Sequence, residues 1–156
     1  TTALGIAALL DGMQSRLSER AGRVGLELVV EIAGDVRALA VRGEAQAVER
    51  ILVNLVDNAC KYAAMATDRR LHLTVTRQAR LASFSVRDHG PGIAPDLRRR
   101  LFTPFAKSAA EAATTAPGIG LGLALSRRLA RQLGGDLRCD APADGGAAFV
   151  LELPIA

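Results

Sequence analysis

Asn54, Asn58 and Lys61 stand at intervals that place them on one stripe of a helix. At 100° per residue they fall within about 60° of one another. The stripe runs beside an apolar face made by Val48, Ile51, Leu52, Leu55, Ala59 and Tyr62, so it lies at the edge of a core. An amide oxygen suits a hard cation such as Mg²⁺, which takes few protein ligands and keeps several waters and phosphate oxygens. Asn58 could supply that oxygen, with Asn54 one turn behind, while Lys61 could meet a phosphate as a point charge. Taken alone, the stripe reads more simply as a solvated helix edge.

A second stretch, Val86-Arg87-Asp88-His89-Gly90-Pro91-Gly92-Ile93, sets a carboxylate at a strand end before two glycines at alternate positions. The glycines permit close approach of a ligand. A buried carboxylate can accept a hydrogen bond from an exocyclic amine such as that of adenine. Guanine presents a carbonyl there, leaving two acceptors face to face, so Asp88 would also reject the wrong base. An ordinary Asp-capped turn explains the stretch equally well. The third stretch, Pro117-Gly118-Ile119-Gly120-Leu121-Gly122-Leu123, opens a helix, and backbone N–H groups at a glycine-rich helix start attract anions. No Gly-Lys-Ser or Gly-Lys-Thr follows, so it is not a Walker loop. Nor is it a dinucleotide fingerprint, since its third glycine is misplaced and no strand precedes it. Metal ligand, base reader and phosphate cradle in this order are far more specific together than singly.

The elements that must position these residues follow from periodicity. Residues 4–20 carry Leu4, Ala7, Ala8, Leu10 and Leu17 at helical spacing. Leu26–Ile32 reads as a strand, Gly34-Asp35 as a turn and Leu39–Val41 as a short strand. The strongest helix runs from Glu44 to Ala63. Leu71–Thr76 and Ala82–Val86 pair across a turn at residues 78–80, and a short helix lies near Pro95–Leu101. Residues 106–117 are small and lack an apolar stripe, which suggests a lid over a site spanning about 102–118. A last helix is marked by Leu121, Leu125, Leu129 and Leu133 and closed by Gly134-Gly135. Asp136–Cys139 and Ala148–Leu153 complete a sheet. The expected class is a two-layer α/β (α+β) sandwich, with about three helices covering one face of a mixed, mostly antiparallel sheet.

With 156 residues the chain fits one core; 49% of it is hydrophobic but only 3% aromatic, with no Trp, so the core is aliphatic. A net charge of +4 and one short basic run, Arg98-Arg99-Arg100, without interleaved aromatics, argue against nucleic acid. Cys60 and Cys139 are too few for a disulfide framework and read as small hydrophobes of a reducing compartment. No run of 18 apolar residues is present. A cytoplasmic chain, or the cytoplasmic portion of a membrane-bound sensor, is the expectation, with no membrane contact by this segment.

At these residues the sequence resembles the Bergerat-fold ATPase superfamily of gyrase, heat-shock chaperone, mismatch-repair protein and histidine kinase, and the histidine kinase branch above all. The N-box stands as Asn54-Leu-Val-Asp-Asn58-Ala59-Cys60-Lys61-Tyr62, the G1 box as Asp88-His89-Gly90-Pro91-Gly92-Ile93, the F-box as Leu101 to Lys107, and the G2 box as Gly118 to Leu123. The resemblance implies Mg²⁺ on Asn58, Asn54 on the polyphosphate side, and Lys61 and Tyr62 near phosphate and ribose. It implies Asp88 on the adenine amino group, Gly90, Gly92 and Ile93 closing on the base, and Phe102 and Phe105 anchoring the lid. Lys107 would face the terminal phosphates, and Gly118, Gly120, Leu121, Gly122 and Leu123 would hinge the lid and cradle phosphate. Ala147, where relatives often carry Ser or Thr, lacks a hydroxyl that would support the pocket through water.

Hydrolysing relatives carry Glu where this chain has Asn54, and a neutral amide cannot serve as a base for water. Transfer to a protein nucleophile is therefore favoured, with Asn54, Lys61, Lys107 and Mg²⁺ positioning and neutralising the γ-phosphate of ATP. Neither His72 nor His89 resembles a phosphoacceptor. The expected acceptor lies on an upstream dimerisation domain, connected through residues 1–20 to a catalytic domain of residues 21–156. A response regulator would be the downstream partner, the segment itself a monomer and the parent a homodimer. A protein-serine kinase of the anti-sigma type, or a non-catalytic nucleotide-binding module, are the alternative readings.

Overall fold

A computed structural model describes residues 1–103 and 122–156. Chain order within them is β1 (Thr2–Gly5), α1 (Ile6–Gly22), β2 (Glu27–Ile32), β3 (Ala40–Gly43), α2 (Ala45–Tyr62), β4 (Arg70–Gln78), β5 (Leu81–Arg87), α3 (Pro95–Arg100), α4 (Gly122–Gln132), β6 (Asp136–Asp140) and β7 (Ala148–Pro154). Among the described residues a five-stranded sheet has the order β2-β4-β5-β7-β6. β2 and β4 run parallel and every other neighbour is antiparallel. α1, α2 and α4 pack side by side, and between them they contact β2, β5, β6 and β7. The expected two-layer sandwich is what forms.

Its cause is a set of one-sided elements. α1 buries Ile6, Leu9, Leu10, Met13, Leu17 and Ala21, and α2 buries Val48, Ile51, Leu52, Leu55, Val56 and Ala59. Those stripes meet the inward side chains of the sheet, such as Leu71, Leu73, Val75, Phe84, Val86, Phe149 and Leu151, which are all but sealed from solvent. Each such side chain contributes about 1.5–3 kcal/mol on burial. At the rim of the α1–α2 contact, Arg20 forks onto Asp57 at 2.8 and 2.5 Å and Arg16 meets Glu49 at 2.5 Å. Arg16 is well exposed and Arg20 half-buried, both at the solvent edge, so these pairs set register more than stability.

Two sequence expectations need correction. Leu4 belongs to a strand, not to the first helix: Thr2–Gly5 pairs with Ala40–Gly43, and Ile6 N–H donates to Leu39 C=O at 2.9 Å. Local spacing could not reveal it, because the partner strand lies some forty residues away. In α4 the inward stripe is Leu123, Ser126 and Ala130, continuing to Leu133, while Leu125 is 58% exposed. Leucines four apart from Leu121 gave a period of 4.0, which drifts around a helix of period 3.6. Gly134-Gly135 does close the helix: Gly134 has φ +89° and Gly135 N–H donates to Ala130 C=O at 2.9 Å. Leu121 and the expected lid beyond Thr103 lie outside the described residues.

Chemical denaturation distinguishes the two kinds of leucine. Leu55→Ala should cost about 2–5 kcal/mol through the cavity it leaves, whereas Leu125→Ala should stay within about 0.5 kcal/mol of the parent.

Candidate nucleotide site

Asp88 is the group around which the site is built. β5 ends at Arg87, and the next residue turns its carboxylate into the protein, where it is 0% exposed. Oδ1 accepts from Gly90 N–H at 2.8 Å and from Ala147 N–H at 3.3 Å. The Asp88 N–H in turn donates to Ala147 C=O at 3.0 Å. Among the described residues Oδ2 is buried with no hydrogen-bonding partner. An unmet buried acceptor costs on the order of 1–3 kcal/mol, more when charged, so this oxygen is held ready for a donor. Burial pushes the carboxyl above the ordinary Asp range, and the Gly90 and Ala147 amides only partly oppose it.

The clamp exists because two neighbours lack side chains. A Cβ on Gly146 would strike the Asp88 carbonyl oxygen, and Gly146 also has φ +77°. A Cβ on Gly90 would strike the Tyr62 carbonyl oxygen and come within 3.1 Å of Asp88 Oδ1. The second contact shows that the C-terminus of α2 is seated on the Asp88 turn. Gly146 escaped the sequence reading as part of the site, and of Ala147 only the missing hydroxyl was noted, not the backbone N–H that holds Asp88. A Gly-Gly pair before a strand was the available signal, and only topology shows that it lies under Asp88.

The polar stripe on α2 forms as expected, with Asn54, Asn58, Lys61 and Tyr62 all half-buried. Asn58 Nδ2 donates to the Asn54 carbonyl oxygen at 2.8 Å and to Asn54 Oδ1 at 3.2 Å. Asn54 Nδ2 donates across to Ser126 Oγ in α4 at 2.9 Å. The Lys61 ammonium lies 5.2 Å from the Tyr62 ring centroid, and Tyr62 leans on Phe149 with centroids 6.2 Å apart. Ile93 is buried, Gly92 half-buried with φ +84°. Phe102 packs on the core with the Arg127 guanidinium 5.1 Å over its ring. Gly122 abuts Asn54 and Leu123 is buried. Helix edge, strand terminus and the start of α4 therefore converge. Phe105, Lys107, Gly118, Gly120 and Leu121 lie outside the described residues.

The two histidines sit together at the sheet end. His72 Nε2 and His89 Nε2 are 2.8 Å apart, and Asp68 Oδ2 is 3.6 Å from His89. Because His72 pairs with Arg87 across β4 and β5, His89 two residues on can reach it. Desolvation first, then His89, holds His72 below the usual imidazole range. Cys60 and Cys139 are free, and burial raises their thiols to about 11 and about 12, so they stay protonated and inert.

Residues 43–156 match the family model described as histidine kinase-, DNA gyrase B-, and HSP90-like ATPase. The chain belongs to that family. Among its relatives, the sensor protein RstB of Escherichia coli K12 is 36% identical over 107 residues, covering 69% of this chain and 24% of RstB. The signal transduction histidine-protein kinase/phosphatase MprB of Mycolicibacterium smegmatis is 39% identical over 119 residues, covering 75% of this chain and 23% of MprB. The chain thus spans about a quarter of these relatives. Full-length ShkA, solved in complex with AMPPNP, superposes with a TM-score of 0.79 at 29% identity, over 99% of this chain and 31% of that one. The Bergerat-type fold and the histidine kinase branch read from the boxes agree with these likenesses.

Replacing Asp88 by Asn should separate stability from binding. The raised carboxyl binds its proton more tightly when folded. Its stabilising contribution is therefore complete below the unfolded value near 3.8 and lost as pH climbs through the folded value. Asp88→Asn should remove that slope, match or exceed the parent's stability at neutral pH, and lose adenine nucleotide binding, since an amide N–H₂ can take the place of the acceptor. Melting curves across pH with parallel nucleotide titration check both halves.

Proposed function

We propose that this domain binds Mg·ATP and presents the γ-phosphate to a histidine on a separate dimerisation domain, as the catalytic domain of a two-component sensor kinase. The buried, unpartnered Asp88 Oδ2 carries the reading. A free acceptor at the base of a glycine-lined turn fits the exocyclic amine of adenine, a donor, and opposes the carbonyl of guanine. The AMPPNP bound by full-length ShkA is an adenine nucleotide of this kind.

The α2 stripe fits the rest of the nucleotide. Asn58 commits its amide N–H₂ to Asn54, which leaves Oδ1 as its remaining polar atom, an acceptor suited to Mg²⁺. Lys61 and Tyr62 would serve phosphate and ribose. The ion would neutralise phosphate charge when bound. Lys107 and the glycines Gly118 and Gly120 would complete the phosphate side, with Phe105 beside Phe102 at the root of a lid over about 102–118.

Transfer is favoured over hydrolysis because Asn54 stands where a base for water would have to stand, and its amide is tied to Asn58 and Ser126. The nucleophile would come from an upstream helical domain reached through residues 1–20, and a response regulator would take the phosphoryl group onward. No described helix is long and apolar enough to cross a membrane. We place the domain on the cytoplasmic side, where ATP is available.

Mixing the chain with γ-labelled ATP, Mg²⁺ and a supplied dimerisation domain should put acid-labile, base-stable label on the acceptor. Acid-stable label would point to serine instead, and binding without any transfer would overturn the transferase reading. Asn58→Ala should reduce the Mg²⁺-dependent gain in ATP affinity by at least about tenfold while leaving metal-free binding in place. An undiminished metal effect would remove Asn58 from the metal site.

A further inference from the structure

Ser126 lies outside the four sequence boxes, and it is a buried hydroxyl, 5% exposed, on the inward stripe of α4. That stripe is otherwise Leu123, Ala130 and Leu133, so packing alone does not ask for an oxygen there. Its Oγ accepts from Asn54 Nδ2 at 2.9 Å, a contact between residues 72 apart in sequence.

We infer that Ser126 is a positioning residue for the Asn54–Asn58 amide pair, fixing the orientation in which Asn58 offers oxygen to the cation. This rests on the Mg·ATP reading proposed above. The orientation is dictated link by link. The Asn54 backbone carbonyl can only accept, so the group it meets at 2.8 Å must be the Asn58 N–H₂. That same N–H₂ lies 3.2 Å from the Asn54 side chain, which must therefore turn its oxygen toward Asn58. The Asn54 N–H₂ is left to face α4, where the Ser126 hydroxyl receives it. A reversed Asn54 amide would set two N–H₂ groups against each other.

The α4 backbone closes the other side of this corner. A Cβ on Gly122 would lie 2.9 Å from Asn54 Oδ1 and 3.2 Å from its Nδ2. Gly122 gives the amide room and Ser126, one turn further along, holds it. Without the hydroxyl, the Asn54 amide loses its anchor on α4 and its 3.2 Å hold on Asn58 weakens. Asn58 is then tied by the Asn54 carbonyl alone, and Oδ1 is presented less rigidly. The metal ligand is thereby coupled to where α4 sits against α2.

Calorimetric titration of the chain with ATP, with and without Mg²⁺, tests this. Ser126→Ala should lose about three- to tenfold of the Mg²⁺-dependent gain in affinity, the scale of one hydrogen bond. Its metal-free affinity should match the parent, its melting temperature should fall only by the few degrees of one lost hydrogen bond, and Ser126→Thr, which keeps the hydroxyl, should restore most of the gain. Full metal gain in Ser126→Ala would overturn the inference, as would an equal loss with and without metal, which marks general damage to the pocket. A parent chain indifferent to Mg²⁺ would sink the Mg·ATP reading itself, and that outcome shows before any substitution is made.

Discussion

A carboxylate sealed from water with one oxygen satisfied and the other bare is an expensive thing to build into a core, and the architecture around Asp88 can be understood as what makes it tolerable. Two backbone N–H groups hold Oδ1, one from its own turn and one from the entry to β7. For the second to arrive, β7 must lie beside β5 and the chain before it must pass directly over the Asp88 carbonyl. Only a residue without a Cβ can do that, which makes Gly146 as much a part of the site as the carboxylate. The antiparallel β5–β7 ladder is thus the frame on which the Asp88 end of the proposed site is stretched.

The second frame is α2. Its apolar stripe is sunk in the core so deeply that the adjoining stripe of Asn54, Asn58, Lys61 and Tyr62 is held half-buried at a fixed height. The helix ends against Gly90 and so sets the distance between Asp88 and the Asn54–Asn58 stripe. Side chains on one turn and the next are near neighbours by helix geometry alone. The Asn58-to-Asn54 bonds are short-range consequences of that spacing. The Asn54-to-Ser126 bond is not, and it ties the stripe to α4. Binding groups on a buried helix edge and a strand end are preorganised, which lowers the ordering cost that a ligand must overcome.

Much of this was legible in the residues. The α2 stripe was readable because its apolar partners repeat with helical period over four turns, and Asp88 because glycines flank it. The sandwich class followed from paired strand runs and one-sided helices. What escaped has a common cause, namely dependence on partners far away in sequence. Leu4 is a strand residue because β3 is there to pair with it. The inward stripe of α4 is defined by Ser126 and Ala130, small residues invisible to a count of leucines. Gly146 and Ser126 contribute backbone or a single hydroxyl, and nothing in their own neighbourhoods distinguishes them from loop and helix filler. The His72–His89 pair likewise depends on β4–β5 register.

The central claim is that the bare oxygen of Asp88 awaits the amino group of adenine. Competition between ATP and GTP at equal Mg²⁺ measures it directly, because the two nucleotides share every phosphate contact and differ at the atom facing that oxygen. ATP should bind at least about a hundredfold more tightly, the discrimination expected when a buried polar group is left opposed. Comparable affinities would mean that Asp88 does not read the base.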